Sequence, residues 1–215
     1  INSLFKKENV VLFKGVTSSG KTEIYITLIS NLLKSNNQVL YLVPEIALTT
    51  QLVERLKVYF SDHLVVYHSG LNINQRAELW NDLILSDKPK IIIGARSAIF
   101  LPYNNLKLII VDEEHEQTYK QYEPSPRYHA RDSSLVLANI HNSKVLLGSA
   151  TPSIESFYNC DESKKFALVE LNERFGNIPL PKINIVDLSE KIRSGNMHGL
   201  FSDTLLNNIK DTVNK

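Results

Sequence analysis

The stretch that most limits what this chain can become is Gly15-Val16-Thr17-Ser18-Ser19-Gly20-Lys21-Thr22, two glycines enclosing four residues, then a lysine and a hydroxyl. It follows the apolar run Val10-Val11-Leu12-Phe13 and precedes Ile24, Leu28 and Leu32 at helical spacing. A strand that feeds a glycine-bounded turn into a helix aims several backbone N–H groups and a helix N-terminus at one point, which suits a polyphosphate. In that register the Lys21 ammonium reaches the β- and γ-phosphates, and the Thr22 hydroxyl takes one position on Mg²⁺, a hard ion that prefers oxygen. The whole loop from Gly15 to Thr22 is therefore expected to bind nucleotide, with Lys21 also serving catalysis.

The remaining chain repeats this strand and helix alternation. Gln38 to Val43, Leu64 to Tyr67, Lys90 to Ile93, Leu106 to Val111 and Lys144 to Leu147 read as short apolar strands. Between them lie helical patterns over residues 22–34, a stretch after Pro44 carrying Leu48, Leu52, Leu56 and Tyr59, residues 74–85, and about 131–140. Strands apolar throughout and separated by helices predict an α/β fold, a mostly parallel central sheet flanked by helices on both faces. Ligands then collect at the strands' carboxyl ends. The notable motifs, at Gly15, Pro44, Gly94, Asp112 and Gly148, each follow a predicted strand and should line one rim. Past Phe166 the pattern weakens. Phe166 to Leu171 and Ile183 to Val186 read as strands with Pro179 and Pro181 between, residues 189–199 as polar loop, and Asp203 to Val213 as helix. This predicts a nucleotide-binding domain over 1–188 and a linker with the truncated start of a further domain over 189–215.

Composition narrows the setting. A net charge of +1 gives no general attraction for nucleic acid, so any polyanion site must come from local arrangement. The single cysteine, Cys160, excludes an internal disulfide or a cysteine-based zinc site within these 215 residues and fits the reducing cytoplasm. No apolar run approaches the roughly 20 residues of a membrane span, so no membrane partner is expected. The start at Ile1 and the helical end suggest a piece of a longer chain.

The second half of the nucleotide site is Leu108-Ile109-Ile110-Val111-Asp112-Glu113, a buried strand that delivers two carboxylates at its end. Asp112 would hold Mg²⁺ through water, sharing it with Thr22, while Glu113 would orient and deprotonate an attacking water. Asp112, Glu113 and Lys21 are the catalytic candidates.

The Gly15 to Thr22 loop, Asp112-Glu113-Glu114-His115 and Gly148-Ser149-Ala150-Thr151-Pro152 resemble the first, second and third motifs of superfamily-two helicases. Val43 to Thr49, His68 to Leu71, Gly94 to Pro102, Tyr119 to Gln121 and Arg127 to Asp132 narrow the resemblance to the primosomal replication-restart helicases, over about Asn9 to Asp187. The resemblance implies a P-loop NTPase of RecA-like fold, the first lobe of an ATP- and Mg²⁺-dependent motor. Such a motor moves 3′ to 5′ on single-stranded DNA, opens stalled forks, and works with other primosome proteins. It also implies DNA contacts from Thr49, Arg96 and Ser97, although an internal ion pair for Arg96 and helix capping for the hydroxyls are equally consistent with the residues. Tyr119, Lys120, Tyr122, Arg127 and Tyr128 resemble an aromatic-rich loop that stacks on unpaired bases; the alternative is that the tyrosines pack the loop onto its own domain. His115 is placed to bridge to Ser149 or Thr151 and so couple nucleotide to DNA. Ser18 departs from the family's usual glycine and would strain a left-handed turn. The family's zinc-binding cysteines, fork-binding domain, adenine-reading glutamine and second-lobe arginine fingers lie outside this chain, so the fragment alone should be nearly inactive. An RNA-remodelling helicase or another P-loop NTPase would share the nucleotide motifs.

Overall fold

The computed structural model describes residues 1–47, 49–85, 88–161, 165–177 and 183–214; Leu48, Pro179 and Pro181 lie outside them. By its contacts the chain divides into two compact units, Ile1–Asn177 and Ile178–Lys215.

In the first unit the strands and helices alternate as β1 (Val10–Gly15), α1 (Lys21–Leu33), β2 (Gln38–Leu42), α2 (Thr50–Phe60), β3 (Leu64–Tyr67), α3 (Ile73–Leu85), β4 (Lys90–Gly94), β5 (Leu106–Asp112), α4 (Ala130–His141), β6 (Lys144–Ser149), α5 (Ile154–Asp161) and β7 (Ala167–Leu171). The strands form one sheet in the order β3-β4-β2-β5-β6-β1-β7, and every neighbouring pair is parallel. Because side chains alternate across a strand, each strand feeds two cores. Val39, Tyr41, Ile91, Ile93, Leu108 and Ile110 meet Tyr25, Ile26 and Ile29 of α1 and Leu56 and Phe60 of α2. Leu40, Leu42, Ile92, Ile109 and Val111 meet Leu83 of α3 and Ala130 and Ala138 of α4. Each Val, Leu, Ile or Phe among them, withdrawn from water, contributes roughly 1.5–3 kcal/mol, and neither face of the central strands tolerates a polar substitute. This is the α/β sheet read from the apolar runs, with all seven strands parallel.

The crossovers bring five strand ends to one rim. Asp112 pairs in register with Gly148, and Gly148 with Phe13, so only β6 separates the end of β5 from the start of the glycine loop. That register positions the site.

Two helices had no counterpart in the sequence reading. Ser153 caps α5, its hydroxyl accepting from Ser156 N at 3.3 Å, a local bond that Pro152 and the polar flanks obscure. In the second unit α6 (Leu188–Arg193) replaces the expected loop, its amino end closed by Asp187, which accepts from Ser189 N at 2.8 Å and Glu190 N at 3.3 Å. Residue 188, where the domain boundary was expected, therefore opens a helix. Ile183 to Val186 is not a strand: Ile183 and Ile185 stand exposed, without the covered face that would fix a register. A hairpin of β8 (Met197–His198) and β9 (Phe201–Ser202) turns through Gly199 at φ 63°. It leads into α7 (Asp203–Val213), capped by Ser202.

Candidate nucleotide-binding site

Strand β1 ends at Gly15, and the loop then turns on itself, with Val16 N donating to Leu171 O of β7 and Ser19 N to Val16 O, both at 3.1 Å. Ser18 is left-handed at φ 62° and Gly20 at φ 90°. The turn thus demands at Ser18 the conformation that only glycine adopts freely, a cost of about 1–2 kcal/mol. Gly20 precedes α1 without any side-chain cap, which leaves the helix's first N–H groups for a ligand. A Cβ on Gly15 would stand 3.0 Å from both Lys21 Cγ and Ser19 Oγ, so the bare position gives the lysine room to fold back across the loop. Lys21 Nζ donates to Gly15 O at 2.9 Å and lies 3.8 Å from Glu113 Oε1. Ser19 Oγ is buried without a hydrogen-bond partner. Thr17 to Thr22 line a cleft of about 560 Å³ together with Glu23, Arg55, Asp112, Glu113 and Phe175, and Arg55 of α2 pairs with Glu23 of α1 at its side. An orphaned hydroxyl, uncapped helix amides and a lysine in one concavity fit a polyphosphate, and Thr22 and Asp112, oxygen donors lining the same cleft, fit its Mg²⁺.

The four residues after β5 point four ways. Asp112 Oδ1 accepts from Tyr25 OH and Glu113 N, and Oδ2 from Tyr41 OH, each at 3.1 Å. Burial raises its pKa, the neighbouring Glu113 charge adds to this, and the two phenols work against it. Glu113 has a left-handed backbone at φ 47°. This turns its partly exposed carboxylate toward Lys21 on one side and His115 Nδ1, 3.8 Å away, on the other. Glu114 is fully buried. Its Oε1 accepts from Ser153 N at 2.7 Å, and its Oε2 from Ser156 Oγ at 2.8 Å, Ser153 Oγ at 3.0 Å and Arg131 Nη1 at 3.1 Å. That network ties the acidic run to the amino ends of α4 and α5. His115 Nδ1 lies 2.8 Å from Ser149 Oγ and Nε2 3.5 Å from Thr151 Oγ1, while Ser149 Oγ also accepts from Thr151 N at 3.0 Å. The three residues expected to couple are in contact.

The aromatic segment corrects one expectation. Tyr119 offers no face for stacking on a base: it is fully buried, because the turn Gln117–Tyr119 folds it back into the core, where its phenol donates to Asp112 O at 2.6 Å. Tyr128 packs edge-on against Phe100 with ring centroids 4.8 Å apart, and Phe100 and Tyr122 are the exposed aromatics. Phe100 was not singled out from sequence, although it sits among motif residues and is apolar on a rim. Arg96 forms no ion pair among the described residues: Nη1 donates to Thr118 O and Lys120 O, both at 3.3 Å, so it roots the segment. Lys120 Nζ donates to Arg127 O at 3.0 Å, and Arg127 itself is exposed. Thr49 is exposed and caps α2, accepting from Leu52 N at 3.3 Å; Ser97 is exposed on the turn Arg96–Phe100.

Comparison with known proteins adds to this geometry. The profile of the DEAD/DEAH box helicases matches residues 1–159. Replication restart protein PriA of Haemophilus influenzae is 47% identical over 207 residues, 96% of this chain and 27% of its own length. The Bacillus subtilis protein of the same name is 41% identical over 209 residues, 97% of this chain and 26% of its own. The chain thus spans about a quarter of these relatives. Among solved structures, the helicase Lhr of Mycobacterium smegmatis, bound to single-stranded DNA and AMP-PNP, superposes with a TM-score of 0.56. It is 19% identical, over 80% of this chain and 24% of that one, a likeness of fold.

Proposed function

The chain belongs to the DEAD/DEAH box helicase family, and from that premise we propose that it is the ATP-binding lobe of a DNA helicase of replication restart. In this reading it couples hydrolysis to 3′-to-5′ translocation on single-stranded DNA and to unwinding at stalled forks. The observation that carries the chemistry is the shared cleft: Lys21 and the glycine loop form one wall, Asp112 and Glu113 the other. When bound, ATP with Mg²⁺ supplies the phosphoanhydride to be cleaved. The loop N–H groups and Lys21 hold its negative charge, and Thr22 and Asp112 take positions around the metal. Glu113, reachable by water and flanked by Lys21 and His115, accepts the proton of the attacking water. The identity to the PriA proteins supports DNA as the track. Phe100, Tyr122, Arg127 and Ser97 offer an exposed aromatic and polar rim for it, with the half-buried Tyr128 packed edge-on beneath Phe100. Arg96 and Lys120 brace that rim through their bonds to Thr118 O, Lys120 O and Arg127 O, and the exposed Thr49 and the remaining guanidinium nitrogens of Arg96 are proposed to meet the DNA backbone beside it.

In the intact protein, single-stranded and forked DNA, other primosome proteins and a cytoplasmic setting complete the proposal, and residues 189–215 lead toward a second lobe. An arginine finger supplied from such a lobe is worth about 10³–10⁵ in turnover, so this lobe by itself should hydrolyse ATP poorly. The test is ATP turnover of the full-length protein with and without single-stranded DNA across a salt series. Stimulation is expected to weaken with a log–log slope of about −0.7 per neutralised phosphate, and Lys21→Ala should abolish turnover. Turnover that Lys21→Ala leaves unchanged overturns the proposal.

A further inference from the structure

Three buried phenols, from α1, β2 and the turn after β5, converge on one aspartate. Tyr25 OH donates to Asp112 Oδ1, Tyr41 OH to Oδ2, and Tyr119 OH to the main-chain carbonyl. All three rings are fully buried, and Tyr25 and Tyr41 pack edge to face with centroids 5.7 Å apart inside the apolar core shared with Val39 and Leu108. Phenylalanine would fill either place as well. A buried hydroxyl is costly unless bonded, and for Tyr25 and Tyr41 the bond made is to Asp112. A second position is also given over to this contact: a Cβ on Gly148 would stand 1.8 Å from Tyr25 OH, so the phenol reaches Asp112 through the space where the side chain of Gly148 would be.

A carboxylate has about four acceptor positions. On Asp112 the two phenols and Glu113 N occupy three of them, with donors on both oxygens, so the group cannot rotate without breaking bonds. If stability alone were served, an apolar residue would do as well as a half-buried anion with two buried phenols around it.

We propose that Tyr25 and Tyr41 are positioning residues for Mg²⁺ binding, which clamp the two oxygens of Asp112 so that its remaining acceptor position faces the metal's water shell. The proposal rests on the nucleotide reading given above. The phenols touch neither metal nor nucleotide; they act through the carboxylate, as donors behind a metal ligand do elsewhere, where their loss costs roughly 10- to 100-fold in metal affinity.

The experiment follows binding of a fluorescent, non-hydrolysable ATP analogue to the full-length protein without DNA, as Mg²⁺ is titrated from zero, alongside the same binding in EDTA. Tyr25→Phe and Tyr41→Phe, which keep the rings, should each raise the half-saturating Mg²⁺ concentration by about tenfold and leave binding in EDTA unchanged. Gly148→Ala, which displaces the Tyr25 hydroxyl, should reproduce the Tyr25→Phe shift. A purely structural role would lower binding alike with and without Mg²⁺, and that result overturns the proposal. An unchanged Mg²⁺ requirement in both Phe variants overturns it as well; in one of them, it removes that phenol from the clamp. A wild-type protein without Mg²⁺-dependent binding of the analogue would overturn the nucleotide reading itself, and the clamp with it.

Discussion

Glu113 and Glu114 are neighbours in the chain, yet the regions they enter are built on opposite terms. On the cleft side stand two left-handed non-glycine residues, Ser18 and Glu113, and the unpartnered hydroxyl of Ser19. On the far side Glu114 is fully buried, and both its oxygens are bonded, to Arg131, Ser153 and Ser156. The cleft thus holds backbone strain and an unmade bond where a ligand is expected, while the buried charge behind it is fully satisfied. A fixed network on one side lets the other hold an unrelaxed geometry.

The comparison breaks if the two glutamates respond alike to substitution. Glu113→Gln in the full-length protein should lower ATP turnover by roughly 10²- to 10⁴-fold and leave the thermal midpoint almost unmoved; a large fall in midpoint would place Glu113 in the support rather than the cleft. Arg131→Met should do the reverse in kind. Leaving Glu114 buried without its cation costs about 3–5 kcal/mol in urea unfolding, whereas the double variant Arg131→Met/Glu114→Leu should recover part of the loss, the rest staying with Ser153 and Ser156, whose donors lose their acceptor. If the double variant is no better than the single, the pair is not the unit of stability. Ser18→Gly sharpens the other half: release of the left-handed strain, offset by the greater freedom of glycine in the unfolded chain, should stabilise by about 1 kcal/mol or less. A loss would mean that the hydroxyl holds the loop in a way the geometry does not reveal.

The smallest effect concerns the border between the regions, where His129 Nδ1 is buried without a hydrogen-bond partner. Burial holds its pKa below the ordinary histidine value, with Asp132 and Glu114 opposing this and Arg131 and Lys120 adding to it. The unfolded chain therefore takes up the proton first as pH falls. The stability is fully present above the unfolded pKa of about 6.5 and is lost on acidification below it. His129→Asn should flatten the decline in midpoint between about pH 7.5 and about pH 6. His141, lowered by burial and then by Lys107, keeps part of the slope. A slope unaltered by the substitution would assign the decline elsewhere.

The sheet was legible in the sequence because its central strands are apolar on both faces, which leaves little else for runs such as Leu108 to Val111 to be. The glycine loop was legible because the strand, turn and helix had to occur in that order around Lys21. The directions of the acidic run were not. A single positive φ at Glu113 separates its neighbours' directions, and nothing in Asp-Glu-Glu-His announces it. Tyr119 misled for a related reason. Tyrosines interleaved with cations read as a nucleic-acid surface, but a short turn sends this one inward while Tyr122 stays exposed. The helices α5 and α6 escaped notice because they are short and begin on capping side chains, Ser153 and Asp187, rather than on an apolar period.

Gly148 carries a consequence for inheritance. Its missing side chain makes room for a hydroxyl that belongs to another part of the chain, so Gly148 and Tyr25 behave as a single locus. A side chain at Gly148 is disfavoured while tyrosine stands at 25, and since the ring carbon that bears the hydroxyl lies 3.0 Å from the same place, loss of the hydroxyl relieves the worst of the crowding and leaves the rest to the ring.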